Sequence, residues 1–136
     1  MKKFFTLTKS IALLACITLL MSSCNKEQPS EYVGTWSLVE STYGDNTYYY
    51  EIGELVMTIN ADGTCYTEED YVCNWRVKDN LFYVTEPQSG DGETWVYKII
   101  NIDSKTLTWK EIGRYDDDNE YKEYTDGESQ TFTKIK

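Results

Sequence analysis

From residue 32 onward, large apolar side chains recur at every second position, and almost no stretch repeats at helical spacing. Residues 33–40 alternate so that Trp36 and Leu38 mark one face. Leu55, Met57 and Ile59 alternate with Val56, Thr58 and Asn60, and the turn Ala61-Asp62-Gly63 follows. Period-two alternation marks a half-buried strand, and Asp-Gly between two such runs is a strong hairpin signal. Residues 64–67 then return, 68–70 turn, and 71–78 run back. Asp79-Asn80 turns into 81–85. After a polar loop at 87–92, Trp95, Tyr97, Ile99 and Asn101 alternate with Val96, Lys98, Ile100 and Ile102. A turn at 103–105 leads into 106–110, residues 116–130 are acidic and polar, and 131–135 form a last strand. Short strands with closely spaced turns predict an all-β, antiparallel sandwich or barrel in place of a parallel α/β sheet.

The start of the chain follows a different pattern. Lys2, Lys3 and Lys9 precede a run at 11–21 that is apolar apart from one threonine, and Ser22-Ser23-Cys24 comes directly after it. A cationic segment, a short apolar segment and small residues, in that order, form a secretory signal peptide. A transmembrane helix needs ~20 apolar residues, about twice what this run supplies. The cysteine placed directly after the small residues resembles a bacterial lipobox, with Met21 at the usual leucine position. The resemblance implies that the Cys24 thiol is lipidated and becomes the new N-terminus; the alternative is an ordinary cleaved, secreted protein. The expected organisation is a signal peptide at 1–23, a lipidated tether at 24–31 and one domain at 32–136. The tether is polar, holds a proline and lacks large apolar residues.

Charge narrows the choice of partners. Removal of residues 1–23 takes three of the 13 basic residues and none of the 23 acidic ones, leaving a net charge of −13. A body this acidic, with its lysines and arginines scattered, repels nucleic acid and anionic head groups. The chain has no histidine, so the commonest general base and the commonest transition-metal ligand are both missing. Cys65 and Cys73 remain after the signal peptide and the anchor are set aside. Their Cys-x7-Cys spacing does not match a zinc ribbon. They fall on neighbouring strands of one expected hairpin, four residues either side of Glu69. A cross-strand disulfide that pins the register is expected there, with two reduced, buried thiols as the alternative. Asp116-Asp117-Asp118-Asn119-Glu120 offers many carboxylates but lacks the spacing and glycine of a calcium loop, so a solvated acidic loop is expected and no metal.

Val33-Gly34-Thr35-Trp36 at the head of the β region resembles the Gly-x-Trp opening of lipocalins. The order that follows also agrees: the turn 60–64, then Trp75 through Leu81, then Lys105-Thr106-Leu107-Thr108-Trp109, then Phe132-Thr133-Lys134. This cadence is similar to the small lipocalin-like domains of bacterial lipoproteins and covers 32–135. The resemblance implies a single up-and-down β-barrel of about eight strands. Gly34 would let the first strand start tightly, Trp36 would plug the closed end, and Lys134 would lay its stem over that indole. The domain is shorter than a full lipocalin, and Thr125-Asp126-Gly127 does not reproduce the family's Thr-Asp-Tyr motif.

The expected function is a non-catalytic, membrane-anchored binding module for a small apolar or aromatic ligand. The pocket would take residues from one face of the strands: Met57, Tyr66, Trp75, Phe82, Trp95, Tyr97 and Trp109. The competing expectation is an envelope structural or interaction protein with a filled barrel, its recognition surface including Tyr48-Tyr49-Tyr50. An enzyme is not expected: Glu40, Glu54 and Glu111 flank apolar strands, yet nothing selects a catalytic pair among them. No cofactor is expected, and the chain should be a monomer. Asn25 after the anchor, where aspartate would retain the protein at the inner membrane, points to the outer membrane of a Gram-negative envelope.

Overall fold

The computed structural model describes residues 28–67, 71–87 and 92–136. The expected signal peptide, the expected anchor at Cys24 and the first residues of the expected tether lie outside the described residues. Ten strands follow a 3-10 turn at Ser30–Tyr32: β1 Gly34–Tyr43, β2 Asn46–Tyr49, β3 Val56–Ile59, β4 Thr64–Thr67, β5 Val72–Lys78, β6 Leu81–Thr85, β7 Thr94–Ile102, β8 Thr106–Tyr115, β9 Tyr121–Glu123 and β10 Ser129–Lys134. All pairings are antiparallel. The path β1-β3-β4-β5-β6-β7-β8 closes because β10 pairs with both β8 and β1, giving an eight-stranded barrel. This architecture is compatible with a lipocalin-like fold. Strands β2 and β9 extend β1 and β8 as hairpins beyond the closed wall.

The turns form where their residues favour them. Asp62 Oδ1 accepts the backbone N–H of Thr64 (2.9 Å) and its hydroxyl, closing the β3–β4 hairpin. Asp79 and Asn80 both take positive φ (52° and 62°) between β5 and β6, the geometry a two-residue hairpin needs to match strand twist. Asp103 Oδ1 accepts the N–H groups of Lys105 and Thr106, each at 2.8 Å.

One end of the barrel is sealed by aromatic packing. Tyr32 is buried at the end of the 3-10 turn, and Trp36 Nε1 donates to its carbonyl at 2.8 Å. Trp75 and Phe82 stack beside it with centroids 5.3 Å apart. Gln28 Nε2 donates to the Trp75 carbonyl, so the segment expected as tether is already part of the fold by residue 28. Tyr32 explains this, because a ring that size stabilises the fold only if the residues before it follow it onto the barrel.

Three bulges alter the simple alternation. The β1–β10 register slips between Leu38 and Glu40, which lets Ser41, further along the same strand, be fully buried. The β7–β8 register slips after Val96 and again after Ile99. Asn101, expected to share a face with Ile99, gives way to Ile102, which pairs with Leu107 and packs on the core. A bulge inserts one residue and reverses the parity beyond it.

Candidate functional site

Alternation places one set of side chains inside the wall. Met57 and Ile59 of β3, Cys65 of β4, Trp109 of β8 and Phe132 of β10 are all buried. Toward the closed end their rings fill the lumen. Toward the other end they leave a cavity of about 660 Å³, within the range that holds a small organic ligand. Trp109 forms much of its floor, stacked against Tyr97 at 4.7 Å and meeting Phe132 edge-on at 5.1 Å. Leu38, Leu55, Val56 and Val84 complete the apolar lining.

The residues expected to form the pocket divide into two groups. Met57, Tyr66, Trp95, Tyr97 and Trp109 line the cavity. Trp75 and Phe82 do not, since both belong to the aromatic plug below it, where Trp75 Nε1 donates to the Asn60 carbonyl at 2.9 Å. Tyr66 pairs with Thr58 on the outward parity and is exposed, so it contributes at the edge of the cavity and not at its floor. The base motif assembles in space: Trp36 and Lys134 are register partners, and Lys134 Nζ lies 5.1 Å from the indole centroid. At Gly34 (φ +147°) an added Cβ would meet Lys134 Cε and the Lys136 carbonyl oxygen.

Cys65 and Cys73 are register partners on β4 and β5 and both line the cavity. Both are free thiols, so the expected bridge is not formed in the structure. The ladder phase supplies a reason. Trp75 N donates to Gly63 O at 2.8 Å, which puts the cysteines two residues on in the hydrogen-bonded phase. In that phase opposed Cβ atoms stand toward the wide end of ~4.5–5.5 Å, beyond the ~3.5–4.5 Å that a disulfide spans. Burial pushes the Cys65 thiol up to about 12, with the Cys73 charge adding to it, and both remain protonated at neutral pH.

Polar groups also line the cavity, and the sequence pattern did not single out Thr67, Glu86 or Gln130. Gln130 alternates with Phe132 on β10; its Oε1 accepts from Trp109 Nε1 at 2.8 Å and its Nε2 donates to Glu128 at 3.3 Å. Glu86 reaches the cavity from the end of β6. Tyr97 is half-buried in the wall, and its hydroxyl is hydrogen-bonded to no protein group among the described residues. Desolvation, and then the negative charges of Glu111 and Glu128, push its ionisation far above the ordinary range. A longer reading of the alternation Leu107, Trp109, Glu111 would have continued β8 past Lys110 and brought Glu111 inward.

A second cavity of about 550 Å³ shares the Trp95 wall with the first. Glu111, Glu123, Asp126 and Glu128 surround it together with Tyr43 and Tyr124. Gly127 makes this possible, because a Cβ there would collide with the Glu111 backbone. Burial, followed by the Glu128 charge, raises the Glu111 carboxyl above its usual range, against a smaller pull from Arg114. The acidic run at 116–120 has a structural use instead. Asp116 accepts the Glu120 N–H (2.9 Å) and pairs with Lys122 (3.2 Å), shaping the β8–β9 turn. Comparison with family models, with curated proteins and with solved structures finds no match to this chain.

Proposed function

We propose that this protein is a lipid-anchored, lipocalin-like binding protein that holds a small apolar or aromatic ligand in its barrel without chemical change. The supporting observation is the cavity above Trp109, whose walls are mainly apolar and whose Gln130 amide is held in place by the Trp109 indole N–H. A closed eight-stranded wall can be filled by its own side chains or leave room for one ligand, and the plug of Tyr32, Trp36, Trp75 and Phe82 fills only one end. In this reading Cys24 carries the lipid and fixes the barrel to the outer membrane.

Native mass spectrometry of the protein purified from an oxidising bacterial compartment tests the binding. A reproducible adduct that is lost on denaturation, and absent when Val84→Phe fills the cavity, is the expected result. A bare mass in both proteins would refute the reading. The same spectra report the thiol pair, since a Cys65–Cys73 bridge lowers the mass by about 2 Da. Membrane fractionation of Cys24→Ala tests the anchor; an unchanged membrane fraction would remove it.

A second reading, an envelope protein that binds other proteins, draws support from the β1–β2 hairpin. Its Tyr43, Tyr48 and Tyr49 are 59%, 54% and 77% exposed, an amphipathic surface suited to recognition. It gains if the mass is bare and in-cell cross-links from Tyr49 reach one defined envelope protein.

A further inference from the structure

The charge around the two cavities has a single sign. Among the described residues Glu86 is the one charged residue lining the barrel cavity, and four carboxylates line the cavity that shares Trp95 with it. Among the described residues no lysine or arginine lines either space. The neighbouring guanidinium is partly engaged: Arg114 Nη1 pairs with Glu93 at 2.9 Å and its Cζ lies 5.5 Å from the Trp95 centroid, while its buried Nε has no partner among the described residues. Among the described residues Glu111, Glu123, Asp126 and Glu128 form no ion pair. Tyr97, half-buried and with no hydrogen-bond partner for its hydroxyl among the described residues, is the register partner of Glu111. Glu111 and Glu128 are half-buried with the exposed Glu123 and Asp126 beside them, a grouping that favours a counter-cation, and the Tyr43 and Tyr124 rings offer π faces to one.

We infer that the ligand of this barrel is an amphipathic amine, with its apolar body over Trp109 and its ammonium group toward the carboxylates beyond Trp95. This inference rests on the binding function proposed above and adds the charge of the ligand. The same field disfavours fatty-acid anions, whose carboxylate would meet Glu86 and Glu111 with no lysine or arginine among the described lining residues. A neutral ligand of the same body gains the apolar contacts alone.

Dodecylamine, dodecanol and dodecanoate share one tail and differ in head-group charge, so titration of the purified protein with each, followed by tryptophan fluorescence at neutral pH, separates the contributions. The amine should bind at least ten-fold more tightly than the alcohol, and the carboxylate most weakly. In a Glu111→Gln/Glu128→Gln variant that preference should fall at least five-fold while dodecanol affinity is unchanged. Diffuse attraction to an acidic protein would survive this variant, which removes only two of 23 acidic side chains, and that result would overturn the inference. Asp126→Asn serves as the second variant if the first does not fold. Equal affinity for all three probes, or tighter binding of the carboxylate, overturns the charge assignment and leaves the binding function standing. Failure of all three to bind overturns both.

Discussion

Replacing Gly34 with alanine tests how the barrel wall begins. Gly34 sits at φ +147°, a region that costs a side-chain-bearing residue roughly 1–3 kcal/mol. An added Cβ would also run into Lys134 Cε and come within 2.6 Å of the Lys136 carbonyl oxygen. The lysine end can swing aside. The carbonyl cannot move without giving up the 2.9 Å hydrogen bond it accepts from Thr35 N. Overpacking of this kind adds about 1–3 kcal/mol, so the total is about 2–5 kcal/mol. For a domain of this size the melting midpoint should fall by ~10–30 °C. Equilibrium urea unfolding followed by tryptophan emission measures the loss, since all four tryptophans lie in the barrel strands. Gly44→Ala is the internal comparison: φ is +59° there and no heavy atom lies within 4 Å of the new Cβ, so it carries only the left-handed backbone cost of roughly 1–2 kcal/mol. If the two variants lose the same stability, the close packing of the β1 start against the chain end is wrong.

Phe82→Ala empties the centre of the aromatic plug; Phe82 is 0% exposed, and a loss of ~3–5 kcal/mol is expected in the same urea assay, with less than ~1 kcal/mol refuting the plug. The reduced protein should lose stability as pH rises from 9 toward 12. Its folded-state Cys65 thiol is raised to about 12, so the unfolded chain ionises first and binds fewer protons there. The slope is at most ~1.4 kcal/mol per pH unit for this group, and Cys65→Ala should flatten it relative to the parent; equal slopes would exclude Cys65 as the cause. Glu111→Gln should raise the melting midpoint at pH 7 and not at pH 4. The raised Glu111 carboxyl favours the fold only while protonated, below its unfolded range, and that contribution is lost as pH rises through the folded value. A midpoint lowered at pH 7 would show that the Glu111 charge is compensated.

The strands, their alternation and most of the turns were legible in the sequence because they depend on neighbours one to four residues apart. Trp36, Leu38, Met57 and Ile59 repeat at period two, and Asp62-Gly63 and Asp79-Asn80 carry their turn geometry in their own side chains and backbones. The facing of Cys65 and Cys73 followed from the same hairpin arithmetic, whereas the phase of their ladder did not, since Gly63 and Trp75 set it across the pair. Bulges after Leu38, Val96 and Ile99 are fixed by how the wall closes, so the local pattern could not reveal that Ile102 displaces Asn101 from the core. Depth along the barrel was equally hidden. Trp75 and Trp109 look alike in an alternating strand, yet one is locked into the plug by Tyr32 and the other floors a cavity. The acidic wall beyond Trp95 brings together Glu111 on β8 with Asp126 and Glu128 before β10. Only the closure of β10 onto β8 makes neighbours of these residues, because pairing across the barrel seam is a tertiary contact that no local pattern encodes.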